Sequence, residues 1–234
     1  MTCVFCGKTE MSHAVCKDGH YVCDACHAKK GIEAIMRECS VTPYKNPVEI
    51  MQKIMEDPYI YMHGPEHHVM AGAALLAAYH NCGGELDLPA ALKEMKTRGC
   101  QVPGGVCGFW GCCGAGISTG IYMSIVTKAT PLSGNSWGIS NRMTARALQA
   151  IGRIGGPRCC KRDTFTAVTE AVQMTREELG IKMELPEKLV CRFYVENQQC
   201  LGKRCPYHPE GDGGFLEIPR PLPGGEVKKS PKCE

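Results

Sequence analysis

The sequence predicts a mainly α protein: a helical core domain with a zinc ribbon or treble clef at its N-terminus and a cysteine-rich loop segment near its C-terminus. Three observations predict this. Between residues 28 and 180, apolar residues recur at helical spacing between capping residues, with few strand-like alternations. Two Cys-x2-Cys knuckles stand in the first 27 residues. Three more cysteines stand between residues 191 and 205, where the periodicity stops.

The head comes first. Cys3-x2-Cys6 and Cys23-x2-Cys26 are separated by 16 residues, a spacing that can present four thiolates tetrahedrally to zinc. A 27-residue segment has too little core to fold alone, so the metal would supply the folding free energy. His13, Cys16, His20 and His27 are spare ligands. The expected division is a head over residues 1–40, a helical metal-binding domain over 41–215, and a Pro/Gly/Lys-rich tail over 216–234 that packs nothing.

The helices follow in order. AKKGIEAIMREC continues directly from the second knuckle. In NPVEIMQKIMED, Asn46 caps, Pro47 suits the first turn, and Val48, Met51, Ile54 and Met55 share a face. PEHHVMAGAALLAAYHN is apolar nearly all round and reads as a buried helix. DLPAALKEMKTRG has Asp87 as cap and Gly99 as stop. GAGISTGIYMSIVTKA is a helix whose small residues permit close contact with a neighbour. A further helix is expected over 138–153, and Asp163 is expected to cap TFTAVTEAVQMTREEL before Gly180. The apolar runs 69–78 and 121–126 would also suit a homodimer interface.

Composition bounds the chemistry. A net charge of +3 is too small to argue for a nucleic-acid partner. No apolar run reaches the roughly 18 to 20 residues of a membrane span, and MTCVFCGKTE lacks a signal-peptide core, so a cytoplasmic protein is expected. Seventeen cysteines, an odd number including two Cys-Cys pairs, fit metal ligands or redox groups better than a disulfide scaffold.

The central cysteines form the second constellation. Cys107, Cys112 and Cys113 lie in VCGFWGCCGAGISTG, and Cys159 and Cys160 in GGPRCCKRD; both loops run into helices. Helix N-termini stabilise thiolates and anionic clusters, and glycines let backbone N–H groups approach the sulfurs. The expected cofactor is an iron–sulfur cluster, of the [4Fe–4S] type, on these five cysteines. Helix-packing cysteines and a dithiol relay are the competing readings. A third group, Cys191-x8-Cys200-x4-Cys205-Pro206, suits a cluster or zinc, with His208 or Cys233 as a fourth ligand.

His63, Glu66, His67 and His68 surround the start of the apolar helix and are candidate acid–base residues. Arg142 and Arg146, one helical turn apart, are candidates for binding a substrate carboxylate or phosphate, against the plainer reading of a solvated helix face.

MHGPEHH, CGFWGCCGAG and GGPRCCKR together resemble a cysteine-rich domain-of-unknown-function family, number 5714, of anaerobic bacteria and archaea. The resemblance covers roughly residues 40 to 210, leaves the zinc ribbon as an addition, and implies no assigned activity. The Gly-Cys loop and its helix also resemble, more distantly, iron–sulfur serine dehydratases and cysteine desulfidases. That likeness implies an open iron held by Cys107, Cys112 or Cys113 and Cys159 or Cys160. The substrate-binding serine-rich loops of those enzymes are not evident here. The expected function is therefore an iron–sulfur lyase or sulfur-related enzyme acting on a small polar substrate. The alternative is a zinc/iron–sulfur adaptor that delivers a cluster or sulfur to a protein acceptor.

Overall fold

The computed structural model describes residues 1–11 and 19–211. The expected spare ligands His13 and Cys16, the tail over 216–234 and Cys233 lie outside the described residues. Among those described there are eight α-helices, one 3-10 turn and no strand; Thr2 and Thr9 make an isolated antiparallel bridge in the head. The chain is mainly helical, as its periodicity predicts.

The helices are α1 (Asp24–Val41), α2 (Pro47–Met55), α3 (Glu66–Asn81), α4 (Leu88–Gly99), α5 (Cys107–Trp110), α6 (Gly114–Val126), α7 (Asn135–Ile154) and α8 (Cys160–Leu179). Their ends follow capping chemistry. The Asn46 side chain accepts from the N–H groups of Val48 and Glu49, and Asp87 accepts from Ala90. Gly180 closes α8 in the left-handed conformation.

Two expected boundaries move. The helix expected from residue 138 begins at Asn135, because SGNS enters the first turn rather than forming a loop. Asp163 does not cap α8. Cys159 does, its sulfur accepting the Arg162 N–H at 3.4 Å, and Asp163 lies inside the first turn. The Asp163 carboxylate is instead occupied by the Arg162 guanidinium at 3.0 Å and the Cys159 N–H at 3.4 Å.

α3 is the axis of the fold. It packs against α1, α2, α4, α6 and α8, which explains an apolar surface all the way round: Val69 through Ala78 are buried within the single chain. Those residues, which the sequence also offered as a dimer face, are covered intramolecularly. α6 lies beside α3 and is covered in turn by α7 and α8. Its glycines set the spacing. A Cβ on Gly120 would stand 1.9 Å from Thr144 Oγ1, and one on Gly116 would stand 2.6 Å from Leu148, both on α7. On the other side, the Gly72 N–H of α3 donates to Ser118 Oγ of α6 at 2.9 Å. The starts of α3, α6 and α8 gather near one end of this bundle, as the contacts of their first residues show below. Among the described residues no helix is long and apolar enough to cross a membrane.

Candidate metal centres

The head places Cys3, Cys6, Cys23 and Cys26 together, their four sulfurs all within 4.8 Å of one another. Cys6 and Cys23 are 3.6 Å apart, close to the sulfur spacing of about 3.8 Å that four 2.3 Å zinc–thiolate bonds would set tetrahedrally. The Cys23 N–H donates to Cys3 Sγ at 3.3 Å and holds that thiol down to about 6. The neighbouring thiols of Cys6 and Cys23 push Cys26 up to about 12. Four thiols at this range favour one thiolate at the expense of the others, a conflict that a bound cation removes. The group can hold a metal ion. Asp24, the first residue of α1, accepts the Gly104 N–H at 2.6 Å and so ties the head to the loop that leads to Cys107.

The structure divides the five central cysteines. Cys107 opens α5, Cys113 is the N-cap of α6, and Cys160 is the first residue of α8. The charge of Cys107 acts on Cys113, and that of Cys113 on Cys160, each raising its neighbour. Cys113 donates to Asp163 Oδ2 at 3.9 Å. Burial, with Asp163 adding to it, pushes the Cys113 thiol up to about 12, and burial pushes Cys160 up to about 12. Such thiols are weak nucleophiles on their own and need a cation to ionise. Cys112 is shifted by burial alone, and Cys100, exposed at the end of α4, answers only to burial and Lys96.

Cys159 goes elsewhere. It lines one cavity with Cys191, Cys200 and Cys205, the three cysteines of the C-terminal loop. Consecutive helical residues are about 100° apart around the axis, so a Cys-Cys pair at a helix start serves two directions. That geometry is a signal for the split that the sequence reading did not use.

The histidines sit around the same end. His67 is buried; its Nδ1 donates to the Gly64 carbonyl at 3.1 Å and lies 3.4 Å from the Glu66 carboxylate. His67 Nε2 is buried with no hydrogen-bond partner. The Glu66 carboxylate is fully buried and accepts no hydrogen bond. His68 Nδ1 donates to Val102 at 3.0 Å, and its ring occupies the space above Gly114, beside Cys113. Burial holds His68 below the usual histidine range. His63 stands apart in the preceding loop, bonded to Gln199 at 2.8 Å.

Arg142 and Arg146 face α8, where their charges are taken up. Arg142 pairs with Glu178 at 2.9 Å, and Arg146 bonds Glu170 at 2.7 Å, Gln173 at 2.9 Å, and Glu177. Lys161 sits within the basic run CCKRD yet is buried and lines the cavity of Cys159.

Among the described residues, the head's four cysteines are the group whose sulfurs all stand close enough together to hold one metal ion. No curated protein and no solved structure matches the chain. A family model described as a family of unknown function, DUF5714, matches residues 35–208, from the middle of α1 to His208 after the last described cysteine, and the chain belongs to that family.

Proposed function

We propose that the chain carries a structural zinc ion in its head and an iron–sulfur centre on Cys107, Cys113 and Cys160, and that the latter acts on a small polar substrate. What supports this reading is that Cys107, Cys113 and Cys160 stand at the starts of α5, α6 and α8, with Cys107 acting on Cys113 and Cys113 on Cys160, and that the buried His67 Nε2 has no partner. Three thiolates leave one iron of a four-iron cluster without a cysteine, and such an iron supplies Lewis-acid polarisation of a leaving group. The chain's own residues supply the proton handling. His67, with Nδ1–H committed to Gly64, takes up or returns a proton at Nε2. His68, held neutral by burial, offers a second imidazole against Gly114.

A second reading rests on Phe109 and Trp110, which are 70% and 63% exposed immediately after Cys107. Large exposed aromatics beside the thiols suit a protein acceptor to which a cluster or sulfur is delivered.

The test is iron, zinc and acid-labile sulfide per chain on protein purified without oxygen. About one zinc with at least about four iron and four sulfide is expected, and Cys113→Ser should lose the iron of the central group. A colourless zinc-only protein, or a Cys113→Ser chain with unchanged iron, overturns the reading. Transfer of iron and sulfide to an apo-acceptor without substrate turnover would favour the second reading.

A further inference from the structure

We propose a second, separate iron–sulfur site in which Cys159 joins Cys191, Cys200 and Cys205 as a complete four-thiolate ligand set, with Lys161 as its buried counter-charge. The four cysteines come from two parts of the chain, the cap of α8 and the C-terminal loop, yet they line the same cavity.

The hydrogen bonding of the sulfurs is the first argument. Each accepts a backbone N–H from two or three residues further on. Arg162 donates to Cys159, Phe193 to Cys191 and Gly202 to Cys200, each at 3.4 Å, and Tyr207 donates to Cys205. The Asn197 amide adds a second donor to Cys159 at 3.4 Å. Donors aimed at sulfur stabilise thiolates, and the same pattern appears at Cys3 in the head. Cys82, away from these groups, instead donates its S–H to the Lys45 carbonyl.

The second argument is charge. Lys161 is 2% exposed and lines this cavity, with its ammonium 4.2 Å over the Phe193 ring. Its Nζ has no hydrogen-bond partner; the carboxylates of Glu66 and Glu196 act on it without bonding it. A buried ammonium in that state is costly unless an anion faces it. A cluster bound by four thiolates is an anion of the required sign.

The sulfur spacing differs from that of the head. Among the described residues, only the head's cysteines bring all their sulfurs within 4.8 Å of one another; the cavity's four are spread wider. One tetrahedral zinc draws its thiolates together as in the head, whereas a polynuclear cluster holds them apart.

The experiment uses the full chain, reconstituted with ferrous iron and sulfide without oxygen, in the wild type and in Cys191→Ser and Cys113→Ser variants. Iron and sulfide should fall by about half in each single variant, from about eight per chain. Cysteine alkylation read by mass spectrometry supplies a measurement that needs no variant. Cys159, Cys191, Cys200 and Cys205 should be protected in loaded protein and modified together after chelation. Full iron in Cys191→Ser, alkylation of these four in loaded protein, or loss of about one zinc in place of iron overturns this site. Unchanged iron in Cys113→Ser with a loss in Cys191→Ser would instead overturn the central centre and leave this one standing.

Discussion

Cys160 and His67 hang on one residue: the Gly64 N–H donates to the Cys160 sulfur, and the Gly64 carbonyl accepts from His67 Nδ1 at 3.1 Å. A proposed thiol ligand and a candidate proton carrier thus share the same short loop. A Cβ at Gly64 would stand 2.1 Å from the buried Glu66 carboxylate. Gly64→Ala should cost about 1 to 3 kcal/mol, lower the melting temperature, and reduce iron loading at Cys107, Cys113 and Cys160 while leaving zinc unchanged. Metal analysis beside thermal melts checks this. Unchanged iron would show that the loop does not position the centre.

The helices were legible because caps and periodicity are local. Asn46 and Asp87 bond the N–H groups that their positions predict, and Gly180 ends α8 where glycine should. The head's thiol group was legible from its spacing alone. The grouping of the other cysteines was not. Cys159 and Cys160 are neighbours in sequence, but the turn of α8 sends them to different partners, and only tertiary contacts identify those partners. The burial of Lys161 and Arg162 was not legible for the same reason: a basic run does not say which of its members helix packing covers. The arginine pair was legible only as a helix face, since its partners on α8 lie 24 to 36 residues away in sequence.

Glycines in the bundle give a pair of predictions of opposite sign. Gly120→Ala meets Thr144 Oγ1 at 1.9 Å and the Ser140 carbonyl at 3.1 Å, so α6 and α7 must separate. The expected cost is about 1 to 3 kcal/mol. Gly152, in the exposed part of α7, has nothing within 4 Å of a new Cβ, so Gly152→Ala should stabilise by about 0.5 to 1 kcal/mol. Denaturant midpoints read both. A common sign would contradict the packing of α6 against α7.

Arg146 offers a choice between structure and substrate. Its guanidinium bridges three side chains of α8, with 26% of the side chain exposed. Arg146→Ala should cost about 1 kcal/mol, with a penalty that shrinks in high salt, and should leave iron content unchanged. A variant with wild-type stability and weakened binding of small carboxylates would return Arg146 to the substrate role.

Zinc removal should act locally. The head's small core is Cys3, Tyr21 and Cys23 with Cys26 packed against them, whereas α1 beyond the second knuckle joins the main core through Ile32, Ile35 and Cys39. Cys26→Ser should therefore expose residues 1–23 to protease while nearly all helical circular dichroism remains. The Asp24–Gly104 bond should loosen with it and quicken alkylation of Cys107. Cooperative loss of the whole helical signal would mean that the head holds the bundle together.

Lys161→Met separates the metal-free protein from the loaded one. Without metal, the variant removes a buried, unpaired ammonium and keeps much of its apolar bulk, so the melting temperature should rise. With metal, the same change deletes a positive charge beside an anionic centre. Reduction adds further negative charge there, so the midpoint potential of that centre should move to more negative values. The other centre, bonded through Cys160, should shift less, since Lys161 lines only the cavity of Cys159. Consecutive Cα atoms lie about 3.8 Å apart, which places the two centres near enough for their paramagnetic reduced states to couple in an electron paramagnetic resonance spectrum. Cys191→Ser should abolish that coupling. A Lys161→Met protein whose metal-free form is destabilised, and whose two potentials are unmoved, would show that the lysine faces neither centre.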